Sequence, residues 1–252
     1  IETAEMIKLI DNAQRDVSFA FANEVARLCD TLGVSATEVI ESGKLGYPRT
    51  NLPMPGPVGG PCLEKDTYIL AESVADYGLE PDIALTARRL NENQPDEVIA
   101  QVRQFTNGIT DFPDTPNITV AGVAFKGRPA TDDVRGTMAI PIIKAIRANY
   151  PDAQLRGYDA MVSDDEIAGL GLQPISGLDA AFDGAHLVVV ANNHRCFGER
   201  ALLGGFAKMA RPGLVYDFWN NIRPPYGRIP ENTWYLSLGS LGLSQPEAQG
   251  RT

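Results

Sequence analysis

Asn117-Ile118-Thr119-Val120-Ala121-Gly122-Val123 opens a part of the chain in which short apolar runs alternate with helical patterns. A run this short and this rich in β-branched residues predicts a buried strand. Similar runs follow at residues 155–159, 187–190 and 214–217, and helical patterns separate them at residues 138–148, 164–169 and 199–210. Strands that alternate with helices predict a parallel sheet covered on both faces, which is a Rossmann-like α/β fold.

The chain before this part has a different pattern. Apolar residues at helical spacing predict a long helix over residues 3–32, ended by Gly33. Shorter helices are predicted at residues 35–40, 66–77 and 81–105. We therefore expect an all-helical central domain at residues 1–107, then a linker, an α/β domain at residues 116–240 and a polar tail at residues 241–252.

Composition argues against several classes of function. The 252 residues carry a formal net charge of −10, which argues against nucleic acid as a partner because phosphate binding needs clustered Lys and Arg. No apolar run is long enough to cross a membrane. Three widely separated cysteines fit a reducing cytoplasm, and none has metal-ligand spacing. The chain begins at Ile1, almost inside a helix, so we expect it to be a piece of a longer protein.

A long Pro/Gly-rich segment, residues 44–62, leads into Pro55-Gly56-Pro57-Val58-Gly59-Gly60-Pro61-Cys62-Leu63-Glu64-Lys65-Asp66. A loop of this length in a compact domain is usually functional or disordered. Gly59 and Gly60 can bring the backbone close to a ligand, because neither carries a Cβ. Cys62 has two interpretations: a nucleophile whose thiolate is stabilised by nearby cations, or a small buried hydrophobe in a turn.

Lys8 and Asn12 are spaced i, i+4, so both project from one face of the first predicted helix. Each alone could be an ordinary surface residue. Because residues 19–24 are largely apolar, we expect this helix to be buried on more than one side, where a Lys/Asn pair needs a partner. No Gly-x-Gly-x-x-Gly follows a strand, so the sequence lacks the usual pyrophosphate turn of a dinucleotide-binding sheet.

Several of these motifs together resemble one family, the UDP-glucose/GDP-mannose dehydrogenases. The motifs, in chain order, are Glu2-Thr3-Ala4-Glu5-Met6-Ile7-Lys8, Asn12, Phe21-Ala22-Asn23-Glu24, the cysteine motif at residues 59–66, Ala124-Phe125-Lys126, residues 131–135 and Gly157-Tyr158-Asp159. The resemblance covers residues 1–240. It implies an NAD-binding domain, a central helical dimerisation domain and a nucleotide-sugar domain, of which this chain resembles the last two. Truncation would then explain the missing glycine motif.

The resemblance also implies a reaction. The family oxidises the C6 alcohol of a nucleotide sugar to a carboxylate, using two NAD molecules in succession. Cys62 would attack the intermediate aldehyde, and Lys8 and Asn12 would hold the developing alkoxide. Asp66 would orient or deprotonate the water that hydrolyses the resulting thioester.

Contacts to a UDP-sugar and to NAD are implied in the same way. The implied substrate contacts are Arg49, Asn51, Gly59, Phe125 and Lys126. In relatives, the arginine that Arg49 matches reaches across a homodimer. Lys65 and Arg135 match residues that touch NAD from outside the NAD-binding domain, although Arg135 could equally pair with Asp132 or Asp133.

Some residues depart from the family pattern. Trp219 stands where UDP-glucose enzymes commonly carry a substrate-contacting arginine, and Pro61 precedes the cysteine where many relatives have His or an aromatic residue. The first-helix sequence and the short spacing from Arg49 to Cys62 favour the UDP-N-acetylhexosamine branch, such as the UDP-N-acetylmannosamine dehydrogenases.

Two further functions stay open. One is a non-catalytic module that binds a nucleotide sugar and dimerises. The other is a thiol hydrolase in which Cys62 would work with the distant His186 or His194. Asp159 and Asp217, at predicted strand ends, are interpreted as turn residues rather than ligand contacts.

Overall fold

A six-stranded parallel sheet forms the second half of the chain. The structure is a computed structural model that describes residues 2–47, 49, 51–222 and 229–240. The strand order is β3-β2-β1-β4-β5-β6, and every neighbouring pair is parallel. The strands are β1 (Asn117–Ala121), β2 (Gln154–Tyr158), β3 (Gln173–Pro174), β4 (Leu187–Val190), β5 (Gly213–Asp217) and β6 (Thr233–Ser237). This order confirms the predicted α/β fold, with its carboxyl strand ends along one edge.

Two of the four inner strands, β4 and β5, are buried at every position. Strands with helices on both faces need apolar side chains on both sides, and this explains the continuous Leu187–Val190 run. The four predicted strands correspond to β1, β2, β4 and β5. Two strands were not predicted, namely β3, which has only two residues, and β6.

Helices cover both faces of the sheet. They are α5 (Ala139–Asn149), α6 (Asp164–Gly169), α7 (Leu178–Phe182) and α8 (Glu199–Phe206), with a single 3-10 turn at Arg195–Phe197. Ser163 begins α6 with a capping box, in which its side chain and that of Glu166 bond to each other's backbone. The short α7 was not predicted, and α8 ends four residues earlier than expected.

Four helices precede the sheet: α1 (Glu2–Leu32), α2 (Ala36–Lys44), α3 (Leu63–Ala75) and α4 (Asp82–Asn107). Gly33 ends α1 with a φ of +67°, as predicted. Ser35 caps α2 by accepting the Glu38 N–H at 3.2 Å. The third helix begins at Leu63 and not at the predicted Asp66, because the carbonyl oxygen of Cys62 already accepts the N–H groups of Lys65 and Asp66.

The helical half and the α/β half share one apolar core. Buried residues of α1 and α4, among them Ala26 and Ile99, belong to the same cluster as Ile118 of β1 and Leu214 of β5. Hydrogen bonds also join the halves, including Gly239 N–H to Asp30 Oδ2 at 3.2 Å. This shared core holds α1 and the cysteine motif against the carboxyl edge of the sheet. The predicted polar tail, residues 241–252, lies outside the described residues.

Candidate active site

The cysteine loop, residues 55–62, has no helix or strand and packs onto the α/β half. The Gly60 N–H donates to the carbonyl oxygen of Gly136 at 2.7 Å. Gly60 has a φ of +99°, and a Cβ there would lie 2.7 Å from the Phe125 ring. A Cβ on Gly59 would lie 2.5 Å from the Gly136 oxygen. Both glycines are therefore needed for the loop to approach the α/β half this closely.

Asp66 lies at the centre of a polar cluster and is 1% exposed. Asn12 Nδ2 donates to Asp66 Oδ2 at 2.6 Å. Lys8 Nζ lies 3.9 Å from the same oxygen, and Lys65 Nζ lies 3.5 Å from Oδ1. The partner expected for the Lys8/Asn12 pair is thus Asp66, and the structure brings three of the predicted catalytic side chains together.

The fourth predicted catalytic side chain, Cys62, lies one helical turn before Asp66. It is half-buried, and its carbonyl oxygen accepts the Asp66 N–H at 2.9 Å. This backbone bond begins α3 and fixes the thiol and the carboxylate on neighbouring turns. The alternative of a fully buried cysteine does not apply, because the residue borders a cavity.

A cavity of about 400 Å³ separates the cysteine loop from the carboxyl edge of the sheet. Its lining combines aromatic rings, cationic side chains and the loop backbone: Asn12, Arg15, Phe19, Pro57–Leu63, Phe125, Lys126, Arg128, Pro129, Asn193 and Trp219. The sequence-predicted Cys62, Asn12, Gly59, Phe125 and Lys126 meet there. A mostly apolar cleft with a few polar groups is typical of a small-molecule site.

The carboxyl edge is shaped by turn residues. Asp159 Oδ2 accepts the Ala124 N–H at 3.0 Å, and Asn192 Nδ2 donates to the Ala124 oxygen at 3.3 Å. These bonds fix the turn that carries Phe125 and Lys126 into the cavity. Asp217 is fully buried and accepts hydrogen bonds from the N–H groups of Trp219 and Asn221 and from Tyr235 Oη. The interpretation of Asp159 and Asp217 as turn residues agrees with these bonds.

Trp219 holds a defined position at the cavity wall. Its Nε1 donates to the Ala191 oxygen at 3.0 Å, and its ring packs on Gly56, where a Cβ would lie 2.8 Å away. The ring thus fills space beside the cysteine loop and presents an apolar surface to the cavity.

The two predicted cofactor contacts lie outside the cavity lining. Arg135 is 76% exposed and donates to Asp133 through Nε, 3.0 Å from Oδ1, and Nη2, 2.7 Å from Oδ2. These hydrogen bonds lower the pKa of Asp133 to about 2. Of the two anticipated partners, Asp133 is the one observed. Lys65 is 55% exposed beside Asp66, so both cations reach the surface near the cysteine motif.

Arg49 and Asn51 are exposed and do not line the cavity of this chain. Lys8 is 60% exposed, so this chain alone does not give it the dry surroundings expected of an oxyanion-binding cation. As expected, α1 is buried on more than one side, because it packs against α3 and α4 and, through Ala26 and Cys29, joins the core of the α/β half, but one face stays exposed in the single chain. Ile7, Ile10, Phe21, Leu28 and Leu32 are each more than half exposed.

The two histidines are engaged elsewhere. His186 Nδ1 accepts the Asn117 N–H at the start of β1, at the opposite end of the sheet from the cavity. His194 Nδ1 accepts the Cys196 N–H. In the described part of the chain, no hydrogen bond joins either histidine to Cys62, so nothing supports the thiol-hydrolase alternative.

Sequence reasoning missed a buried polar network behind the cysteine loop. Arg88 and Asn91 of α4 bind Asp16 of α1, and Asn91 also binds Asn23, which holds Gly56 through two hydrogen bonds. It also missed several cavity residues, among them Arg15 and Phe19. Helical spacing gives a signal for these two, since they follow Asn12 at i+3 and i+7.

Two negative findings apply to the described ranges, residues 2–47, 49, 51–222 and 229–240. No group of three or more His, Cys, Asp and Glu side chains there could hold a metal ion. No helix in those ranges is both long and apolar enough to span a bilayer.

Two family matches cover most of the chain. Residues 2–93 match the central domain of the UDP-glucose/GDP-mannose dehydrogenase family, and residues 119–224 match its UDP binding domain. The chain is 34% identical over 230 residues to a UDP-N-acetyl-D-mannosamine dehydrogenase of Pyrococcus horikoshii, covering 90% of this chain and 50% of that protein. It is 32% identical over 198 residues to an NDP-N-acetyl-D-galactosaminuronic acid dehydrogenase of Ralstonia nicotianae, covering 77% and 44%.

Solved structures give the same result. A UDP-D-ManNAc dehydrogenase from Pyrococcus horikoshii superposes with a TM-score of 0.77 at 29% identity, over 95% of this chain and 52% of that one. A UDP-N-acetyl-mannosamine dehydrogenase from Staphylococcus aureus superposes with a TM-score of 0.73 at 28% identity, over 95% and 52%. The chain spans about half the length of the curated relatives it matches. With both family domains matched in order along the chain, the protein belongs to the UDP-glucose/GDP-mannose dehydrogenase family.

Proposed function

We propose that this chain is the catalytic-cysteine and substrate-binding part of an NAD-dependent nucleotide-sugar 6-dehydrogenase that converts the C6 alcohol of a UDP-sugar to a carboxylate. The observation that carries the proposal is the joint placement of Cys62 and Asn12 on one cavity, with Asn12 bonded to the buried Asp66. A thiol, an amide donor and a carboxylate arranged in this way suit a covalent oxidation of an aldehyde.

Each residue has a distinct task in the first stage. The thiolate sulfur of Cys62 forms a bond to the aldehyde carbon, and the aldehyde oxygen takes the electron pair as an alkoxide. Asn12 Nδ2 and Lys8 Nζ, which converge on Asp66 in this chain, are placed to stabilise that charge. Protonation of the alkoxide gives a thiohemiacetal.

The second stage releases the acid. Loss of a hydride from the thiohemiacetal carbon, together with the proton of its hydroxyl group, leaves a thioester on Cys62. Water then adds to the thioester carbon while Asp66 accepts its proton, and the carbon–sulfur bond breaks to return the thiol. The overall balance is one alcohol, one water and two NAD⁺ giving one carboxylate, two NADH and three protons.

NAD, when bound, accepts the hydride at each of the two oxidations. The residues of this chain fit only the edge of such a cofactor. Lys65 and Arg135 offer exposed cationic groups to its phosphates. The turn after β1 lacks the Gly-x-Gly-x-x-Gly motif with which a dinucleotide-binding turn holds the pyrophosphate of NAD. The nicotinamide would therefore be held by a segment outside this chain, and the chain alone would bind the sugar nucleotide without oxidising it.

The cavity suits a nucleotide sugar. Lys126, Arg15 and Arg128 supply positive charge for a diphosphate, while Phe19 and Trp219 supply apolar surface. The similarity to UDP-N-acetyl-D-mannosamine and NDP-N-acetyl-D-galactosaminuronic acid dehydrogenases favours an N-acetylhexosamine as the sugar. Arg49, exposed in one chain, would reach the substrate of a second chain, and Asn51, also exposed, would lie close to the nucleotide.

Replacement of Cys62 tests the covalent step. In the complete dehydrogenase supplied with a UDP-N-acetylhexosamine and NAD, Cys62→Ser should slow acid formation by about a thousandfold, because the second oxidation needs the thioester. The measurement is NADH release together with chromatographic analysis of the uronic acid. Cys196→Ser is the matched control, since Cys196 is also half-buried but lies in the α/β half, where burial and Asp159 raise its pKa to about 11. Near-normal acid formation by Cys62→Ser would overturn the proposal.

A further inference from the structure

The buried guanidinium of Arg88 binds the backbone on both sides of the segment that contains Cys62, residues 59–62. Arg88 belongs to α4 and is 1% exposed. Its Nη2 donates to the Val58 oxygen at 3.2 Å, and its Nη1 donates to the Leu63 oxygen at 3.2 Å. The four residues between these two carbonyl groups, residues 59–62, include the thiol and the two glycines that approach the α/β half.

The guanidinium is itself held from two directions. Nη1 also lies 3.2 Å from Asp16 Oδ1 of α1, and Asn91 Nδ2 donates to the same oxygen at 2.7 Å. On the other side, Nε lies 3.2 Å from Glu92 Oε1, within ion-pair distance but outside hydrogen-bonding geometry. A buried charge that is compensated in this way keeps one orientation, because moving it would leave charges unpaired.

The same network fixes the start of the cysteine loop. Asn91 Oδ1 accepts from Asn23 Nδ2, and Asn23 exchanges two hydrogen bonds with the backbone of Gly56. Asn23 and Arg88 together therefore hold the loop at Gly56 and Val58, and Arg88 also holds the first residue of α3, Leu63. From the other side, the Gly136 oxygen holds Gly60.

We propose that Arg88 is a positioning residue of the dehydrogenase, which fixes the Gly59–Cys62 segment by binding the carbonyl oxygens of Val58 and Leu63. The proposal rests on the covalent role of Cys62 proposed above. Only a planar fork with several donors can reach two carbonyl groups and a carboxylate at once. Lysine would keep the positive charge beside Asp16 and lose at least one of the two carbonyl bonds.

The test compares Arg88→Lys with Arg89→Lys, which changes the adjacent exposed arginine of the same helix. Hydrogen exchange followed by mass spectrometry measures the peptides that carry residues 56–66 and 96–106. In Arg88→Lys we expect exchange of the 56–66 peptide to rise by about tenfold, while the α4 peptide stays unchanged. In the complete enzyme kcat should fall by about tenfold to a hundredfold, with KM for the sugar nucleotide changed less than about threefold. Arg89→Lys should change none of these values.

Three results would overturn the proposal. The first is unchanged exchange of the 56–66 peptide in Arg88→Lys. The second is equal acceleration of exchange in both peptides, which would assign Arg88 to general stability. The third is a normal kcat despite a mobile loop. Arg88→Met extends the series if it folds, and its kcat should then be lower than that of Arg88→Lys. Failure of the covalent step would show separately, as acid formation by Cys62→Ser, whereas hydrogen exchange reports on Arg88 in either case.

Discussion

The two halves of the chain differ in how many apolar side chains they expose and in which polar groups they bury. The helical half buries Asp16, Asn23, Arg88 and Asn91 and leaves apolar side chains such as Ile83, 75% exposed, on its surface. The α/β half buries every residue of β4 and β5 beneath its helices. Burying unpaired polar groups and exposing large apolar ones costs stability. Such features therefore point to a hydrogen-bonded network, to another chain or to a function.

This difference indicates where the site and the contacts with other chains lie. The buried polar groups of the helical half stand behind the cysteine loop, and its exposed apolar groups lie on the outer surface of α1 and at the start of α4. The α/β half exposes few large apolar side chains, although it too buries polar groups such as Asn192 and Asp217, and its polar carboxyl edge forms the opposite wall of the cavity. We infer that the helical half is shaped by contacts beyond this chain, and the α/β half mainly by its own core.

The largest expected effect concerns the apolar outer surface of the helical half. A groove of about 470 Å³, lined by Ile10, Val17, Leu70 and Ile83 among others, lies between α1, α3 and α4. If a second copy covers it, as the homodimer prediction requires, Ile83→Glu should raise the dimer dissociation constant by about a thousandfold, because it places a charge in an apolar contact. Sedimentation equilibrium over a range of concentrations measures the constant.

Ile140 in the α/β half provides the matched control. It is 51% exposed on α5, and Ile140→Glu should leave the dissociation constant unchanged. If both substitutions raised the dissociation constant equally, the exposed apolar surface of the helical half would not differ from that of the α/β half as a dimer contact. A wild-type chain that sediments at 27.2 kDa at all concentrations would remove the dimer prediction.

A smaller effect is expected where the halves meet. Gly60→Ala should destabilise the folded chain by about 2–4 kcal/mol, because alanine at this φ is strained and its Cβ would overlap the Phe125 ring. Urea unfolding gives the change in free energy. The substitution should also weaken sugar-nucleotide binding, because Phe125 would move into the cavity.

Gly78→Ala separates the cost of backbone strain from the cost of steric overlap with a neighbouring side chain. Gly78 also has a positive φ, +68°, but no atom lies within 4 Å of the position its Cβ would take. It should cost only about 1 kcal/mol, the strain alone. If the two substitutions cost the same, the cysteine loop is not pressed against the α/β half as closely as the structure indicates.

The sequence predicted the regular parts of both halves well. The strands β1, β2, β4 and β5 and the four helices of the first half all follow from periodicity, because a repeating apolar face is a local property of the chain. β3 was missed because two residues give no periodic signal. The i, i+4 spacing of Lys8 and Asn12 likewise predicted a shared face and the need for a partner.

The rest of the site depends on contacts between distant residues. Nothing in the local sequence around Arg88 shows that its side chain ends beside Val58, 30 positions away, or that Asp16 faces it across the helix pair. Trp219 and Asn193 reach the cavity only because the sheet aligns the ends of β4 and β5. The roles of such residues can be recognised only from the tertiary structure. The residues of the sequence motifs, in contrast, were already predicted from the family resemblance.

Each half also buries one carboxylate whose pKa is raised by desolvation, and the two are compensated differently. Asp16 faces the Arg88 guanidinium, which lowers its pKa and so opposes the effect of burial. Asp217 is held by backbone N–H groups, an amide and the Tyr235 hydroxyl, and its pKa is raised to about 6. The α/β half thus carries a buried acid with no cation among its hydrogen-bond partners in the described residues.

Asp217 should give stability a dependence on pH. Because its folded pKa of about 6 exceeds the ordinary 3.8, the folded state holds a proton that the unfolded state has released between these values. Its contribution is therefore complete below about pH 4 and is lost as pH rises through 6, by at most about 3 kcal/mol. Asp217→Asn should flatten the free energy of unfolding over this window, measured by urea unfolding at steps from pH 4 to 7, while Asp152→Asn at an exposed position should not. A slope that survives unchanged in Asp217→Asn would show that Asp217 is not its source.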